Sequence, residues 1–213
     1  MRNRLLLCAV LALTGLLTAC DSNTTTSGGT STGGVKTVSA APKLNAGEEI
    51  AVLDTNLGFI RLQLYPDVAP KHVASFRKYI NDGFYNGLAF HRVAPGLVIQ
   101  AGNPATKSED KATWPTGEMA NLPNIPAEFS TLPFERGVLG AARKGNDINS
   151  ASSQFFVCLV RYQSWDSQYT VFGKVIDGMT TVDMIASVPA ENEVPTNRIV
   201  IRKAFLEKYA PKP

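Results

Sequence analysis

Leu57-Gly58-Phe59-Ile60-Arg61-Leu62-Gln63-Leu64-Tyr65 alternates apolar and polar side chains with a period of two. Ile60, Leu62 and Leu64 share one face while Arg61 and Gln63 take the other, which suits a half-buried strand and not a helix. Residues 50–54 precede it across Thr55-Asn56, so the pair reads as a hairpin. Short strand-like runs return at 88–93, at 98–101 after the Pro95-Gly96 turn, and at 137–142, 155–160, 170–176 and 198–206. Helical spacing is confined to two places. Pro70 opens a helix carrying Val73, Phe76, Tyr79 and Ile80, with Gly83 as its stop, and Met179, Val182, Ile185 and Ala186 mark a second. Roughly eight short strands and two helices predict a mainly β fold, an eight-stranded antiparallel β-barrel capped by two α-helices. Residues 103–136 contain Pro104, Pro115, Pro123, Pro126 and Pro133 and read as a long irregular loop, a kind that is usually functional or mobile.

The chain begins differently. Arg2 and Arg4 precede an apolar run from Leu5 to Leu17 and then Thr18-Ala19-Cys20. The run is shorter than the about 20 residues that cross a bilayer, so 1–19 is read as a secretory signal. Leu17-Thr18-Ala19-Cys20 resembles the lipobox of bacterial lipoproteins, which makes Cys20 the expected lipid attachment site and the mature protein an exported one. It would be tethered to a membrane of the cell envelope, facing the periplasm or the exterior. Residues 20–48 are rich in Ser, Thr and Gly and carry almost no large apolar side chain, so they are read as a flexible linker, and 49–213 as the folded domain.

Composition excludes several function classes. The formal net charge is +3, and cleavage of a leader containing Arg2 and Arg4 would reduce it to +1, so nothing marks a nucleic-acid partner. Of three cysteines only Cys158 falls in the domain, within the apolar run Phe155-Phe156-Val157-Cys158-Leu159, where a buried inert thiol is expected. Zinc sites and thiol catalysis therefore lack ligands. No Gly-x-Ser-x-Gly or His-Glu-x-x-His motif is present, and the 147–158 stretch fails as a calcium loop at its Gly and Glu positions. No metal or cofactor is expected. His72, just inside the first helix, reads as a solvated residue.

The distinctive words are 90–100, Phe-His-Arg-Val-Ala-Pro-Gly-Leu-Val-Ile-Gln, and 149–157, Asn-Ser-Ala-Ser-Ser-Gln-Phe-Phe-Val. Arg92, Gln100 and Gln154 are polar groups of fixed geometry set among apolar strand residues, a mixture that suits an apolar pocket with a few convergent donors. With Phe84-Tyr85-Asn86-Gly87-Leu88, Arg136-Gly137-Val138-Leu139 and Tyr169-Thr170-Val171-Phe172-Gly173-Lys174-Val175, these words resemble the cyclophilin-type peptidyl-prolyl isomerases of bacteria over residues 49–208. The resemblance implies a barrel with a proline-binding groove on its outer wall, isomerisation of X-Pro bonds in exported proteins, and assistance to their folding. It also implies Arg92 as the catalytic cation, aided by Gln100, and His91, Ala142, Arg143, Gln154 and Phe156 as residues that contact substrate. A monomer that binds proline-containing polypeptides is expected.

Departures from the family pattern fall in the pocket. Leu97 and Val98 stand where the family commonly has Phe and Met, so the pocket should be looser. Either Ser164 or Trp165 fills the family's Trp position, and Tyr169 stands where many eukaryotic relatives have His. Cyclosporin binding is accordingly expected to be weak. A proline-segment binding module or chaperone with little turnover is the alternative reading.

Overall fold

The computed structural model describes residues 34–114 and 122–211. The leader, Cys20 and the linker as far as residue 33 lie outside the described residues, as do residues 115–121 of the proline-rich loop. Strands β1 (Glu49–Thr55) and β2 (Gly58–Leu64) form the expected hairpin, with Thr55 opposite Gly58. Its turn falls on Asn56-Leu57, one residue beyond the sequence reading, because Thr55 Oγ1 donates to Gly58 O (2.7 Å) and accepts from Leu57 N (3.1 Å).

Six further strands complete one antiparallel sheet: β3 (Arg92–Ala94), β4 (Val98–Ala101), β5 (Val138–Ala141), β6 (Phe155–Cys158), β7 (Val171–Asp177) and β10 (Ile201–Lys208). Their order is β10-β1-β2-β7-β5-β6-β4-β3, and the sheet curls into a half-barrel. The expected strand at 88–93 is shorter than read. Residues 87–90 turn towards β10 instead, where Gly87 N and Phe90 N donate to Ile201 O and Ile199 O, and Ile201 N donates to Leu88 O. A small hairpin, β8 (Ala190–Glu191) and β9 (Val194–Pro195), has no counterpart in the sequence reading. Among the described residues the proline-rich loop carries two short 3-10 turns, at Pro104–Lys107 and Lys111–Thr113.

Strand alternation sorts side chains between two cores. Val93, Ile99, Ala101, Leu139, Phe155 and Val157 point inward with the helices, and Ala94, Val98, Phe156, Cys158 and Val138 form a second cluster on the other face. Phe76 of the first helix anchors the inner core, with ring centroids 5.1–5.4 Å from those of Tyr85, Phe155 and Phe172. Each such ring stabilises the fold by about 1.5–3 kcal/mol. Cys158 is buried, and burial pushes its thiol up to about 12, so it stays protonated at neutral pH.

Helices α1 (Pro70–Asn81) and α2 (Met179–Ala186) occupy the two segments read as helical. Ala69 offers no side-chain cap to α1, and a distant residue does so instead. Glu128 accepts from Lys71 N and His72 N, each at 3.0 Å, and from His72 Nδ1 at 2.7 Å. His72 is therefore not solvated as the sequence suggested; it is 3% exposed and its partner comes from the proline-rich loop. Burial alone would raise the Glu128 carboxyl, but the His72 ring and the two main-chain donors outweigh it and hold it below the usual carboxylate range. Its contribution is thus present above the ordinary glutamate range and is lost as pH falls through the depressed folded value. Glu128→Ala should cost about 2 kcal/mol in urea denaturation at pH 7, and the difference from the parent should shrink in acid.

The linker reading also needs correction from Lys36 onward. Lys36 N donates to Phe129 O (2.8 Å) and Thr131 N to Lys36 O (3.0 Å), while Thr131 Oγ1 accepts from Val38 N (2.8 Å) and donates to Val38 O (3.0 Å). Further along, Gln63 Nε2 donates to Pro42 O (3.0 Å) and Gly47 N to Tyr209 O (2.9 Å). On the side of residues 36–47 every one of these bonds is made by a main-chain group, which composition does not register.

Candidate active site

Cross-strand register builds the site. Arg92 lies opposite Gln100, Gln100 opposite Phe156, and Phe156 opposite Gly140, so one row runs across β3, β4, β6 and β5 on the outer face. The Gln100 amide joins two neighbours: its Oε1 accepts from Arg92 Nη1 (3.4 Å) and its Nε2 donates to Gln154 Oε1 (2.9 Å). Arg92 Nε donates to Glu193 Oε2 at 2.6 Å. The Arg92 side chain is 36% exposed and lines an open cleft of about 590 Å³.

The sequence-predicted residues divide into two neighbouring groups. His91, Arg92, Gln100, Ala142, Arg143 and Gln154 line the cleft. Leu97, Val98, Phe156, Trp165 and Tyr169 form an apolar cluster that shares Ala142 with it. Val98 and Phe156 are only 1% and 4% exposed, so this cluster meets solvent through its partly buried members Leu97, Trp165 and Tyr169. Ser164 and Trp165 differ in packing. Ser164 is exposed, whereas the Trp165 ring lies 5.3 Å from Phe156 and 5.2 Å from Tyr169.

Two cleft residues differ from a simple substrate-binding reading. Arg143 stacks over Tyr169 at 4.4 Å, and its guanidinium donates to the carbonyls of Lys144 (2.9 Å), Gly145 (3.1 Å) and Gln168 (3.2 Å), so it braces the wall. Burial, reinforced by the Arg92 charge, brings the His91 ring down to about 4, and it is neutral at pH 7. Arg92 thus has no second cation in the imidazole beside it. Trp114, Lys144, Asn192 and Glu193 also line the cleft and were missed. A lone Trp in a polar, proline-rich loop was the available signal for Trp114; Glu193 had none.

With this geometry in place, the comparisons with known proteins are decisive. The profile of the family described as "Cyclophilin type peptidyl-prolyl cis-trans isomerase/CLD" matches residues 50–205. The chain belongs to the cyclophilin-type peptidyl-prolyl cis-trans isomerase family. It is 44% identical over 182 residues to a probable peptidyl-prolyl cis-trans isomerase of Brucella suis, covering 83% of this chain and 90% of the relative. It is 38% identical over 167 residues to peptidyl-prolyl cis-trans isomerase A of Dickeya dadantii, covering 74% and 84%. A cyclophilin-type isomerase of Cryptosporidium parvum, solved in the presence of the dipeptide Ala-Pro, superimposes with a TM-score of 0.66 at 25% identity, over 75% of this chain and 99% of that one. The cyclophilin half-barrel and its two helices are the architecture described above, and the enzyme activity is peptidyl-prolyl cis-trans isomerisation.

Proposed function

We propose that the Arg92 cleft is where the chain isomerises X-Pro bonds, and that Arg92 supplies the catalysis. The observation that carries this is the Arg92 guanidinium, fixed by Glu193 and Gln100 in the same cross-strand row as Phe156 of the apolar cluster. Rotation about an X-Pro bond faces a barrier of about 20 kcal/mol because amide resonance must be broken. At the midpoint the prolyl nitrogen becomes pyramidal and regains its lone pair, which a cationic donor favours over either planar ground state. A planar, permanently charged guanidinium suits that task. In this reading Leu97, Trp165 and Tyr169 around Phe156 receive the proline ring, while Gln100, Gln154 and the Ala142 strand end hold the peptide main chain. No covalent step is required.

The test is the cis-to-trans exchange rate of a short X-Pro peptide, measured by magnetisation-exchange NMR with the full chain in detergent. Acceleration well above the uncatalysed rate is expected. Binding without acceleration would favour the alternative, a proline-segment binding module or chaperone, for which the aliphatic Leu97 and Val98 speak. The expectation that cyclosporin binds weakly, which the Ser164–Trp165 position raises, is checked by adding it to that assay.

We further infer that the mature protein is a monomer, exported and anchored through Cys20 to the cell envelope, with exported polypeptides as its substrates. The basic start, the apolar run and Leu17-Thr18-Ala19-Cys20 support the export and the anchor. Labelled fatty acid should be incorporated by the parent and not by Cys20→Ser, and incorporation by both would contradict it.

A further inference from the structure

The tip of the β8–β9 hairpin breaks a local rule. Glu191 pairs with Val194, so Asn192-Glu193 form a two-residue loop, and both have positive φ, 50° and 66°. Such a loop is ordinarily Asn-Gly, since a side chain in the left-handed region is sterically strained and Asn tolerates it better than Glu does. Glutamate at the second position therefore strains the turn without helping it to form. Strained positions of this kind mark sites where something other than folding selects the residue.

The surroundings show what the strain secures. Val93 N donates to Glu193 O at 2.7 Å, which pins the turn to β3 immediately beside Arg92. From that fixed main chain the carboxylate reaches back and takes Arg92 Nε at 2.6 Å, the shorter of the two side-chain hydrogen bonds that hold the guanidinium.

We propose that Glu193 is a positioning residue for Arg92: it fixes the plane of the guanidinium so that the Nη edge stays turned towards Gln100 and the cleft. This rests on Arg92 as the catalytic cation. Two effects compete, since a carboxylate also offsets part of the charge that stabilises the rotated amide. Glu193 is 46% exposed, so water screens that offset, whereas a 36% exposed arginine without its Nε partner would lose its fixed orientation. Orientation wins, because the catalytic gain depends on placing a donor at the prolyl nitrogen in one geometry.

Glu193→Gly separates this role from a structural one, because glycine relieves the turn. In the full chain the variant should melt at the parent's temperature or above, yet kcat for an X-Pro peptide should fall about tenfold with KM changing less than twofold. Glu193→Gln, which keeps an acceptor oxygen, should retain more activity than the glycine variant. In an Arg92→Ala background, Glu193→Gly should have no further effect on kcat. The Arg92 Nε–H resonance should be sharp and slow to exchange in the parent and should broaden in Glu193→Gly. An undiminished or higher kcat in Glu193→Gly, an equal loss in the Arg92→Ala background, or an unaltered Nε–H resonance would overturn the proposal. A parent chain with no activity would instead overturn the assignment of isomerisation to this cleft, so the two failures are distinguishable.

Discussion

Arg92→Ala should lower kcat for an X-Pro peptide by roughly 100- to 1,000-fold, the cost of removing one preorganised donor aimed at developing charge. The fold should survive, because Arg92 is a partly exposed side chain whose contacts are one carboxylate and one amide. Peptide binding should change far less than kcat, since the apolar cluster and the glutamines stay in place and the lost interaction belongs to the rotated state. Arg92→Lys should recover only part of the loss: a lysine keeps the charge, but its three donors radiate from one atom on a flexible stem and cannot reproduce the planar fork that spans Glu193, Gln100 and the cleft. Rates from exchange NMR, affinities from chemical-shift titration and far-ultraviolet circular dichroism separate the three quantities. Equal loss of binding and turnover would show that Arg92 serves as a binding residue and not as the source of catalysis.

The second large effect is expected at Gly140, which no motif marks as functional. A Cβ there would lie 2.3 Å from Phe156 Cζ and 2.6 Å from its Cε2, closer than real contacts allow. The ring cannot simply withdraw, because Trp165 at 5.3 Å, Tyr169 at 5.9 Å and Phe134 at 6.0 Å surround it. Gly140→Ala should therefore destabilise the domain by about 1–3 kcal/mol, as overpacking does, and displace the aromatic cluster that would receive the proline ring. The kinetic signature should be a raised KM with a smaller change in kcat, opposite to that of Arg92→Ala. Shrinking the neighbour in Gly140→Ala/Phe156→Leu should restore much of the stability, because the clash is relieved. Urea denaturation and steady-state kinetics report both. A single variant with parental stability and KM would show that the ring is not held against β5 as described.

Much of the architecture was readable because its strands alternate cleanly. Ile60, Leu62 and Leu64 announced β2, and the spacing of Val73, Phe76 and Ile80 announced α1. What escaped the reading depended on partners distant in the chain. His72 looks solvated until Glu128, 56 residues away, is seen to accept a hydrogen bond from its ring and cap its helix. The segment after Lys36 looks like spacer because its attachment to Phe129 and Thr131 runs largely through main-chain groups. The β8–β9 hairpin left no trace because its strands have two residues each and its turn lacks glycine. The site behaved in the same way. Arg92, Gln100 and Phe156 could be named from the words that contain them, and the register places them in one row, but the carboxylate that grips Arg92 comes from an unannounced turn. Val98, at 1% exposed, packs within the same cluster as Phe156, at 4%.

The most direct test of Arg92-driven isomerisation is a crystal structure of the protein soaked with a short Ala-Pro peptide. The proline ring is expected against Leu97, Trp165 and Tyr169 over Phe156, with an Arg92 Nη atom within hydrogen-bond reach of the prolyl nitrogen and Glu193 still on Nε. A proline ring seated elsewhere in the cleft, or an Arg92 guanidinium turned away from the prolyl nitrogen, would contradict Arg92-driven isomerisation.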